Sequence, residues 1–313
     1  MVERLDFDAL IAANRRDTWF LMFGFFGLLA VISVTVSTVL RSGLIGVGVA
    51  LAFSMTSSWV GYVKSDSIAI RSTGAKPAER DRFGQLHNVI EGVAIAAGIP
   101  KPRVYVVEDI APNAFATGKN PEHAAVAVTT GLLEKMSRDE LEGVIAHEIA
   151  HIRNLDIRVM TVAVATAGTI AIIVDVFWRF LYFGGGRSSN KKDGNPLAII
   201  GLIVVAILAP IGAAMLKAAV SRRREALADA TAVQFTRYPA GLRMALEKLD
   251  ADRTVVRRTS HATSHLWIET PDDHQRGHRG RRFNDMFDTH PPLETRINWL
   301  RAMEGLPPYQ SAP

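Results

Sequence analysis

Long apolar runs alternate with charged and amphipathic stretches along this chain of 313 residues. Four runs are apolar enough to cross a membrane, and they cover residues 19–40, 44–63, 159–183 and 197–220. Each run is about 20 residues or longer, and a helix of that length spans the roughly 30 Å hydrocarbon core of a bilayer. The pattern therefore predicts a multi-pass membrane protein with about four transmembrane helices.

The third apolar run contains two charged residues, Asp175 and Arg179, four positions apart. Side chains at i and i+4 share one face of a helix, so this spacing favours an ion pair within the run. The alternative is a role in transport, because charges inside membranes are often functional. We expect the ion pair, close to the far membrane interface.

The distribution of basic residues predicts the orientation of the apolar runs. Arg15 and Arg16 precede the first run, whereas the short link to the second run carries only Arg41. The positive-inside rule then places the N-terminus, and the stretches that follow the second and fourth runs, in the cytoplasm. Lys191 and Lys192, between the third and fourth runs, favour the opposite orientation of that hairpin. We expect a protein of the cell membrane whose water-facing parts lie on the cytoplasmic side.

The stretch between the second and third runs has the periodicity of a small α+β unit. Apolar residues recur at helical spacing through 80–98, which predicts an amphipathic helix. Residues 103–108 and 124–129 are rich in β-branched residues and predict two strands, with a loop at 109–120. The expected fold class is mainly α with a small β-sheet. The edge of such a sheet offers a place where an extended peptide could add as a strand.

A helix with candidate metal ligands follows the second strand. Ser137 and Glu140 form a capping box, so this helix is expected to start after Ser137 and to run unbroken into the third apolar run. His147 and His151 lie one turn apart on one face, where two imidazoles can hold a single Zn²⁺. Glu148, the neighbouring residue, can take a proton from a water molecule beside the metal. The alternative is two helix histidines that share a face, since about one chain in a hundred shows this pattern by chance.

The third metal ligand has to come from elsewhere in the chain. A histidine six residues after His151 would mark the metzincin pattern, but position 157 holds Ile157. A glutamate from a later helix is the other solution, and Glu225 with Asp229 at i+4 offers it. Asp229 would then orient a ligating histidine through the second ring nitrogen. The alternative for Glu225 is an ion pair with Arg222 or another surface arginine.

Membrane geometry favours the ligand interpretation of Glu225. His151 precedes the start of the third apolar run by eight residues, and Glu225 follows Lys217, the first charge at the end of the fourth run, also by eight. If both helices continue unbroken out of the bilayer, both side chains lie on the same side at about 12 Å from its surface. A surface ion pair would not need that coincidence. The charged residues around His147 also exclude a site inside the hydrocarbon core, as an intramembrane protease would have.

Four motifs in the same order carry a resemblance to a known family. HEIAH follows LEGVIA, and the others are the NAFATG stretch, EALAD after a basic run, and THPPLETRI near the C-terminus. Over roughly residues 60–300 the chain resembles the HtpX-type membrane zinc metallopeptidases, whose wider family includes the CAAX prenyl endopeptidases. The prenyl-protease relatives carry more membrane spans than the four counted in this chain.

The resemblance implies a gluzincin-like fold and specific residue roles. One zinc ion per chain would be held by His147, His151 and Glu225, with Glu148 as general base and Asp229 behind a ligating histidine. It further implies cleavage of misfolded or damaged membrane proteins, and of unfolded chains, at the cytoplasmic face. The alternatives are a CAAX-type processing peptidase and a catalytically inactive membrane scaffold.

Further candidates are less constrained by spacing. His290 precedes an amphipathic helix that the apolar spacing predicts at 293–303. By resemblance, His290 would donate a hydrogen bond to the oxyanion of the reaction, and the alternative is a capping or packing histidine. Asn113, with Ala114 and Phe115, could bind the substrate backbone, although an asparagine before a turn often bonds only its own backbone. The histidines within 251–289 show no ligand-like support, and this polar stretch is expected to form a mobile loop.

Composition and domain division complete the expectations. The net charge of +5 and the pI near 9.6 suit contact with anionic lipid headgroups, and no aromatic platform points to nucleic acid. The absence of cysteine excludes disulfides and thiolate metal sites. The expected divisions are a cytoplasmic N-terminal segment, two membrane helices, a first protease part, a membrane hairpin and a second protease part: 1–17, 18–63, 64–158, 159–220 and 221–313.

Overall fold

The computed structural model describes most of the chain outside the later apolar runs. It covers residues 43–158, 222–252, 254 and 292–310, with single residues or short stretches at 12, 16, 19, 20, 23, 24, 26–32, 34, 175 and 179. Among these residues, no helix is found that is both long and apolar enough to cross a membrane. The predicted run at 197–220 lies outside the described residues, and so does the run at 159–183 except for two residues. Of the predicted loop at 251–289, only residues 251, 252 and 254 are described, and residue 251 ends a helix. Within the third run, Asp175 and Arg179 are described, and they form the predicted ion pair at 2.8 Å.

Eight helices and four strands are described. The helices are α1 Gly43–Val63, α2 Ser65–Thr73, α3 Gly84–Ala97, α4 Thr130–Lys135, α5 Arg138–Arg153, α6 Arg222–Thr236, α7 Pro239–Ala251 and α8 Leu293–Met303. The strands are β1 Lys76–Pro77, β2 Arg103–Val107, β3 Ala114–Thr117 and β4 Ala125–Thr129. The described part is thus mainly helical with a small mixed sheet, as the sequence predicts.

The sheet has the order β1-β2-β4-β3. β2 and β4 are parallel, and β1 and β3 pair antiparallel on the outside. β3 lies within 109–120, so the prediction of a loop there was wrong. Its four residues are all buried, because α2 packs near one face and the zinc-motif helix α5 near the other. A strand covered on both faces lacks the polar–apolar alternation that identifies strands in a sequence.

The amphipathic helix expected at 80–98 is shorter at its start. α3 begins at Gly84 and ends before Gly98, whose φ of 66° provides the left-handed cap. Its buried face includes Leu86, Val89 and Ile90, which are among the residues that share the predicted stripe. This face and one face of the sheet enclose the main core together with α5.

α5 is the central helix of the core. Ser137 Oγ accepts from the Glu140 amide, and the Glu140 carboxylate accepts from the Ser137 amide at 2.7 Å. These two bonds confirm the predicted capping box. At Gly143 the helix crosses α7 with backbone contact, since a Cβ there would lie 2.4 Å from the Leu242 nitrogen. Gly241 has the same constraint against the Asp139 carbonyl. These two glycines allow α7 to pack directly on the helix that carries the candidate ligands.

α5 does not run on into the third apolar run, and this expectation was wrong. It ends at Arg153 and is capped by Asn154, after which Leu155 adopts a left-handed conformation with φ of 62°. The sequence contains no glycine or proline at this point, so nothing in the pattern marks the end. The distance of about 12 Å from the membrane assumed an unbroken helix, and that assumption fails at Leu155.

The C-terminal helix α8 has the bounds that the amphipathic pattern predicts, 293–303. Ion pairs attach it to α7: Arg243 Nε contacts Glu304 Oε1 at 2.7 Å, and Arg301 Nη1 contacts Glu247 Oε1 at 2.7 Å. The tail then folds back, with the Tyr309 hydroxyl donating to Asp250 at 3.0 Å. α8 is therefore held against the core, with Arg296 on its buried face.

Candidate active site

His147, His151 and Glu225 converge at one buried point. The first two come from adjacent turns of α5, and Glu225 comes from the first turn of α6. The two Nε2 atoms are 3.1 Å apart, and the Glu225 carboxylate oxygens lie 3.6 Å from that of His147 and 3.5 Å from that of His151. All three side chains are buried. The structure thus brings together the three side chains that the sequence proposes as ligands.

These separations fit a zinc ion. Tetrahedral zinc with bonds of about 2.0–2.1 Å holds its ligand atoms about 3.3 Å apart, which is the scale of all three observed distances. Two imidazole nitrogens and one carboxylate are also the donor set of a catalytic zinc site with an open fourth position. Glu225 is buried against both histidines, and not at the surface as the alternative interpretation expects.

Behind His147 lies a carboxylate with a buried arginine. His147 Nδ1–H donates to Asp229 Oδ1 at 2.8 Å, one turn after Glu225 on α6. Arg296 of α8 grips the same carboxylate with two bonds, Nη2 to Oδ1 at 2.7 Å and Nε to Oδ2 at 3.0 Å. Its Nη1 forms no hydrogen bond among the described residues and lies 3.5 Å from Glu225 Oε2. A helix far along the chain therefore completes this side of the site.

Behind His151 lies a second carboxylate. This carboxylate belongs to Asp156, in the turn that follows α5, and its Oδ2 lies 3.0 Å from His151 Nδ1. Asp156 Oδ1 faces Arg224 Nε of α6 at 3.8 Å, and both side chains are buried. With Nδ1 of each ring directed to a carboxylate, the two Nε2 atoms face each other and Glu225.

The electrostatic surroundings of the two histidines differ. Burial, together with the charge of Arg296, lowers the pKa of His147 to about 4. Burial also disfavours the charged form of His151, but the carboxylates of Asp156, Glu225 and Glu148 outweigh it and raise the pKa of His151 to about 9. The guanidinium of Arg296 overcomes the effect of burial on Asp229 and lowers the pKa of that carboxyl group.

Glu148 lies between the two histidines in α5 and is buried. Its charge raises the pKa of His151 and also that of Arg296, which places the carboxylate within the electrostatic reach of the site. A carboxylate beside such a site can accept and return a proton. His290 lies outside the described residues.

Asn113, Ala114 and Phe115 form the entry to β3, the strand beside α5. All three side chains are buried, and Phe115 packs away from α5 in the small cluster with Ala69 of α2. The Asn113 side-chain oxygen accepts from the Ala114 amide at 3.0 Å, which is the local bond that the alternative interpretation describes. The backbone of β3, and not these side chains, is therefore what this segment presents at the sheet edge.

Thr129 holds the segment that leads into β3. Its hydroxyl donates to the Ala111 carbonyl at 2.7 Å and accepts from the Asn113 amide at 2.9 Å. Close packing adds to this, since a Cβ on Gly131 would lie 2.1 Å from the Ile110 carbonyl oxygen. The start of the edge strand is thus fixed to the end of β4.

Sequence reasoning missed Arg296, Asp156 and Arg224. Arg296 lies inside THPPLETRI and on the apolar stripe of α8 with Ile297 and Leu300, so a charged residue at a core position was the available signal. Asp156 is five residues from His151, which is not a helical pairing distance, and only the turn at Leu155 brings it back. No sequence pattern could have found that contact.

Residues 80–304 match the sequence model of Peptidase family M48. A protease HtpX homolog of Thermoanaerobacter pseudethanolicus is 44% identical over 297 residues, covering 94% of this chain and 97% of the relative. One of Streptococcus gordonii is 42% identical over 298 residues, with 94% and 98% covered.

A solved structure shares the fold. The crystal structure of S. mikatae Ste24p superposes with a TM-score of 0.52 at 19% identity, covering 93% of this chain and 66% of that chain. Together with the sequence matches and the buried His–His–Glu group, these similarities confirm the resemblance drawn from the four motifs. The chain belongs to peptidase family M48, and it is a metalloprotease.

Proposed function

We propose that this chain is a membrane-bound zinc endopeptidase that cleaves misfolded or damaged membrane proteins and unfolded chains at the cytoplasmic face. The observation that carries the proposal is the placement of His147 Nε2, His151 Nε2 and the Glu225 carboxylate at mutual distances of 3.1, 3.6 and 3.5 Å. One zinc ion per chain fits this triangle.

Each neighbouring side chain has a role in the proposed hydrolysis. Zinc, when bound, supplies a Lewis acid and lowers the pKa of water to about 7. Glu148 accepts a proton from the attacking water and returns it to the leaving amine. Asp229 keeps the proton of His147 on Nδ1, so that Nε2 is free to bind the metal.

The substrate backbone is proposed to add to the sheet beside β3. In an antiparallel pair, the backbone N–H and C=O groups of successive residues point alternately toward the partner strand and away from it. Asn113 faces β4, since its carbonyl accepts from the Thr129 amide at 2.9 Å. Ala114 and Ala116 therefore face the outer side, where the Ala114 amide already donates to the Asn113 side chain and the remaining backbone groups are proposed to bond the peptide. Because β3 packs against α5, a peptide added there would pass beside the metal-binding residues.

His290 is proposed to donate a hydrogen bond to the oxyanion that develops during hydrolysis. It precedes α8, and Arg296 on that helix contacts Asp229 and His147. The start of α8 is therefore held close to the site, within a few residues of position 290.

Membrane attachment through about four helices is proposed from the apolar runs. Leu44, Ile45 and Trp59 of α1 are strongly exposed, and a large apolar surface of this kind marks contact with lipid or protein. The site itself is proposed to lie outside the hydrocarbon core, because α5 exposes Asp139 and Arg153. Substrate segments would then be loops and unfolded tails, and not the centres of membrane helices.

A pair of variants tests the mechanism in the purified full chain in detergent. Glu148→Ala should keep its zinc but lower turnover of a casein-type unfolded substrate by about 10²–10⁴-fold, the usual scale for a lost general base. Glu142→Ala, on the same helix, is the matched control and should remain active. Full activity of Glu148→Ala would sink the assigned mechanism.

The same preparation separates the alternatives. A wild-type chain that binds no zinc and cuts nothing would be an inactive scaffold, whereas cleavage confined to short prenylated C-terminal peptides would indicate a CAAX-type processing peptidase. Mass spectrometry of the products from a multispanning substrate would then locate the cuts. Cuts clustered in the middle of hydrophobic spans would overturn the proposed position of the site.

A further inference from the structure

The turn after α5 returns the chain to the site. Asn154 caps the helix through the Ala150 carbonyl at 2.8 Å and donates through Nδ2 to Thr231 Oγ1 of α6 at 3.4 Å. Leu155 then takes the left-handed conformation, with φ of 62°. A non-glycine residue rarely adopts that conformation, and it does so where the surroundings enforce it. The result is that Asp156 points back to His151.

Asp156 contacts the face of His151 that a metal would not use. Its Oδ2 lies 3.0 Å from Nδ1, while Nε2 of the same ring faces His147 and Glu225. A histidine that binds a metal through Nε2 must carry its proton on Nδ1, and a buried N–H requires an acceptor. Asp156 is that acceptor, and it holds the ring in the plane in which Nε2 reaches the site.

Arg224 accounts for the burial of Asp156. A buried carboxylate is costly without a cation close by, and Arg224 Nε lies 3.8 Å from Oδ1 with both side chains buried. Arg224 immediately precedes Glu225 in α6. The residue next to the third candidate ligand thus holds the carboxylate that orients the second.

We propose that Asp156 is a positioning residue for His151 and that Arg224 acts through Asp156. One buried chain of contacts, His151–Asp156–Arg224, then sets α5 and α6 at the spacing that brings Glu225 to the two histidines. It parallels the chain His147–Asp229–Arg296 on the other side of the site. The inference rests on the proposed zinc site and adds the residues that hold its second ligand.

The test measures zinc affinity by competition with a chromophoric chelator, using the purified full chain in detergent. Asp156→Asn keeps the size of the side chain but removes the charge that polarises His151 and balances Arg224. Zinc affinity should fall by about 10–100-fold, the usual effect of losing a partner of a metal-bound histidine. Asp252→Asn makes the same change in a pair with Lys135 remote from the site, and it should leave the affinity unchanged.

Two further readouts separate positioning from support of the fold. The visible absorption of the Co²⁺-loaded protein reports ligand geometry, and it should change in Asp156→Asn but not in Asp252→Asn. Arg224→Gln should weaken zinc binding less than Asp156→Asn does. The double variant should lose no more than the Asp156 variant alone, because Arg224 acts through that carboxylate.

Zinc affinity and a Co²⁺ spectrum unchanged in Asp156→Asn would overturn the inference, and so would a drop in melting temperature without any change in affinity. Additive losses in the double variant would overturn the part assigned to Arg224. If Asp156→Asn does not fold, Arg224→Gln decides, and wild-type affinity and spectrum in that variant contradict the proposal. A wild-type chain that binds no zinc would instead overturn the proposed function.

Discussion

The two sides of the candidate site are built from the same kinds of residue, yet they shift the pKa of their histidines in opposite directions. Each candidate zinc histidine directs Nδ1 to a buried carboxylate, and each carboxylate faces a buried arginine. On one side the pKa of His147 falls to about 4, and on the other the pKa of His151 rises to about 9. The surroundings of His147 therefore favour its neutral form, and those of His151 favour its protonated form.

The two pKa values differ because the distances to the arginines and the number of nearby carboxylates differ, although each ring bonds the same type of partner. Arg296 Nη2 lies 3.2 Å from the His147 ring nitrogen and opposes its protonation. Arg224 stands farther back, at 3.8 Å from Asp156, while three carboxylates act on His151. Like-for-like hydrogen bonds thus do not determine a pKa when the surrounding charges differ.

Removing Arg296, which lies on the His147 side of the site, should have the largest effect on the stability of the protein. Arg296→Met keeps the bulk of the side chain but leaves the buried carboxylates of Asp229 and Glu225 without their cation. Losing one partner of a buried ion pair costs about 3–5 kcal/mol, so a large fall in melting temperature is expected for the metal-free protein. Zinc should restore part of it, because a bound cation again balances the carboxylates.

Arg301→Met is the control for that measurement, since Arg301 lies on the same helix α8 but pairs with the half-buried Glu247 and makes no contact with the candidate ligands among the described residues. It should lower the free energy of unfolding by about 1 kcal/mol or less, so the melting temperature should change much less than in Arg296→Met. An Arg296 variant as stable as this control, with and without zinc, would show that Arg296 does not compensate the buried charge.

Removing Glu225 should weaken zinc binding at both His147 and His151, because its carboxylate lies close to both rings. Structural zinc sites with four protein ligands bind the ion with an apparent energy of about 10–16 kcal/mol. One ligand's share of that energy corresponds to about 10²–10³-fold in affinity, and this is the loss expected without Glu225. Chelator competition on Glu225→Ala, with Glu247→Ala as the control, measures this loss. Unaltered zinc content and activity in Glu225→Ala would mean that another carboxylate is the ligand.

Asp229→Asn should have the smallest effect of the three changes, and it tests whether the two histidines depend equally on their carboxylates. The variant weakens the orientation of His147 and should lower zinc affinity by about 10–100-fold, as proposed for Asp156→Asn at His151. Asp250→Asn, which touches the Tyr309 hydroxyl and not the site, is the control. A loss at Asp156 without any loss at Asp229 would show that only one histidine depends on its carboxylate.

Local signals predicted much of the candidate site. The capping box at Ser137 and Glu140 predicted the start of α5, and the i,i+4 spacing predicted that His147 and His151 share a face. These relations hold within one helical turn, so they depend on backbone geometry that every α-helix has. The bounds of α8 followed from its apolar stripe for the same reason.

Signals failed where burial or a single dihedral angle decided the outcome. β3 is covered on both faces, so it has no alternation to detect. The end of α5 depends on Leu155 accepting a φ of 62°, which its side chain does not favour and the packing of Asn154 and Asp156 onto α6 enforces. Such strain is set by contacts between distant segments, and local propensity does not contain them.

The sequence by itself determined the family, the helix that carries the two histidines, and the identity of Glu225 and Asp229 as their partners. Only the tertiary structure decided that Arg296, Asp156 and Arg224 surround those residues, and that the pKa values of the two histidines shift in opposite directions. The physical reason is that spacing along one helix is a local property, whereas the electrostatic potential at a buried ring sums charges from α5, α6 and α8, which meet only in the folded chain.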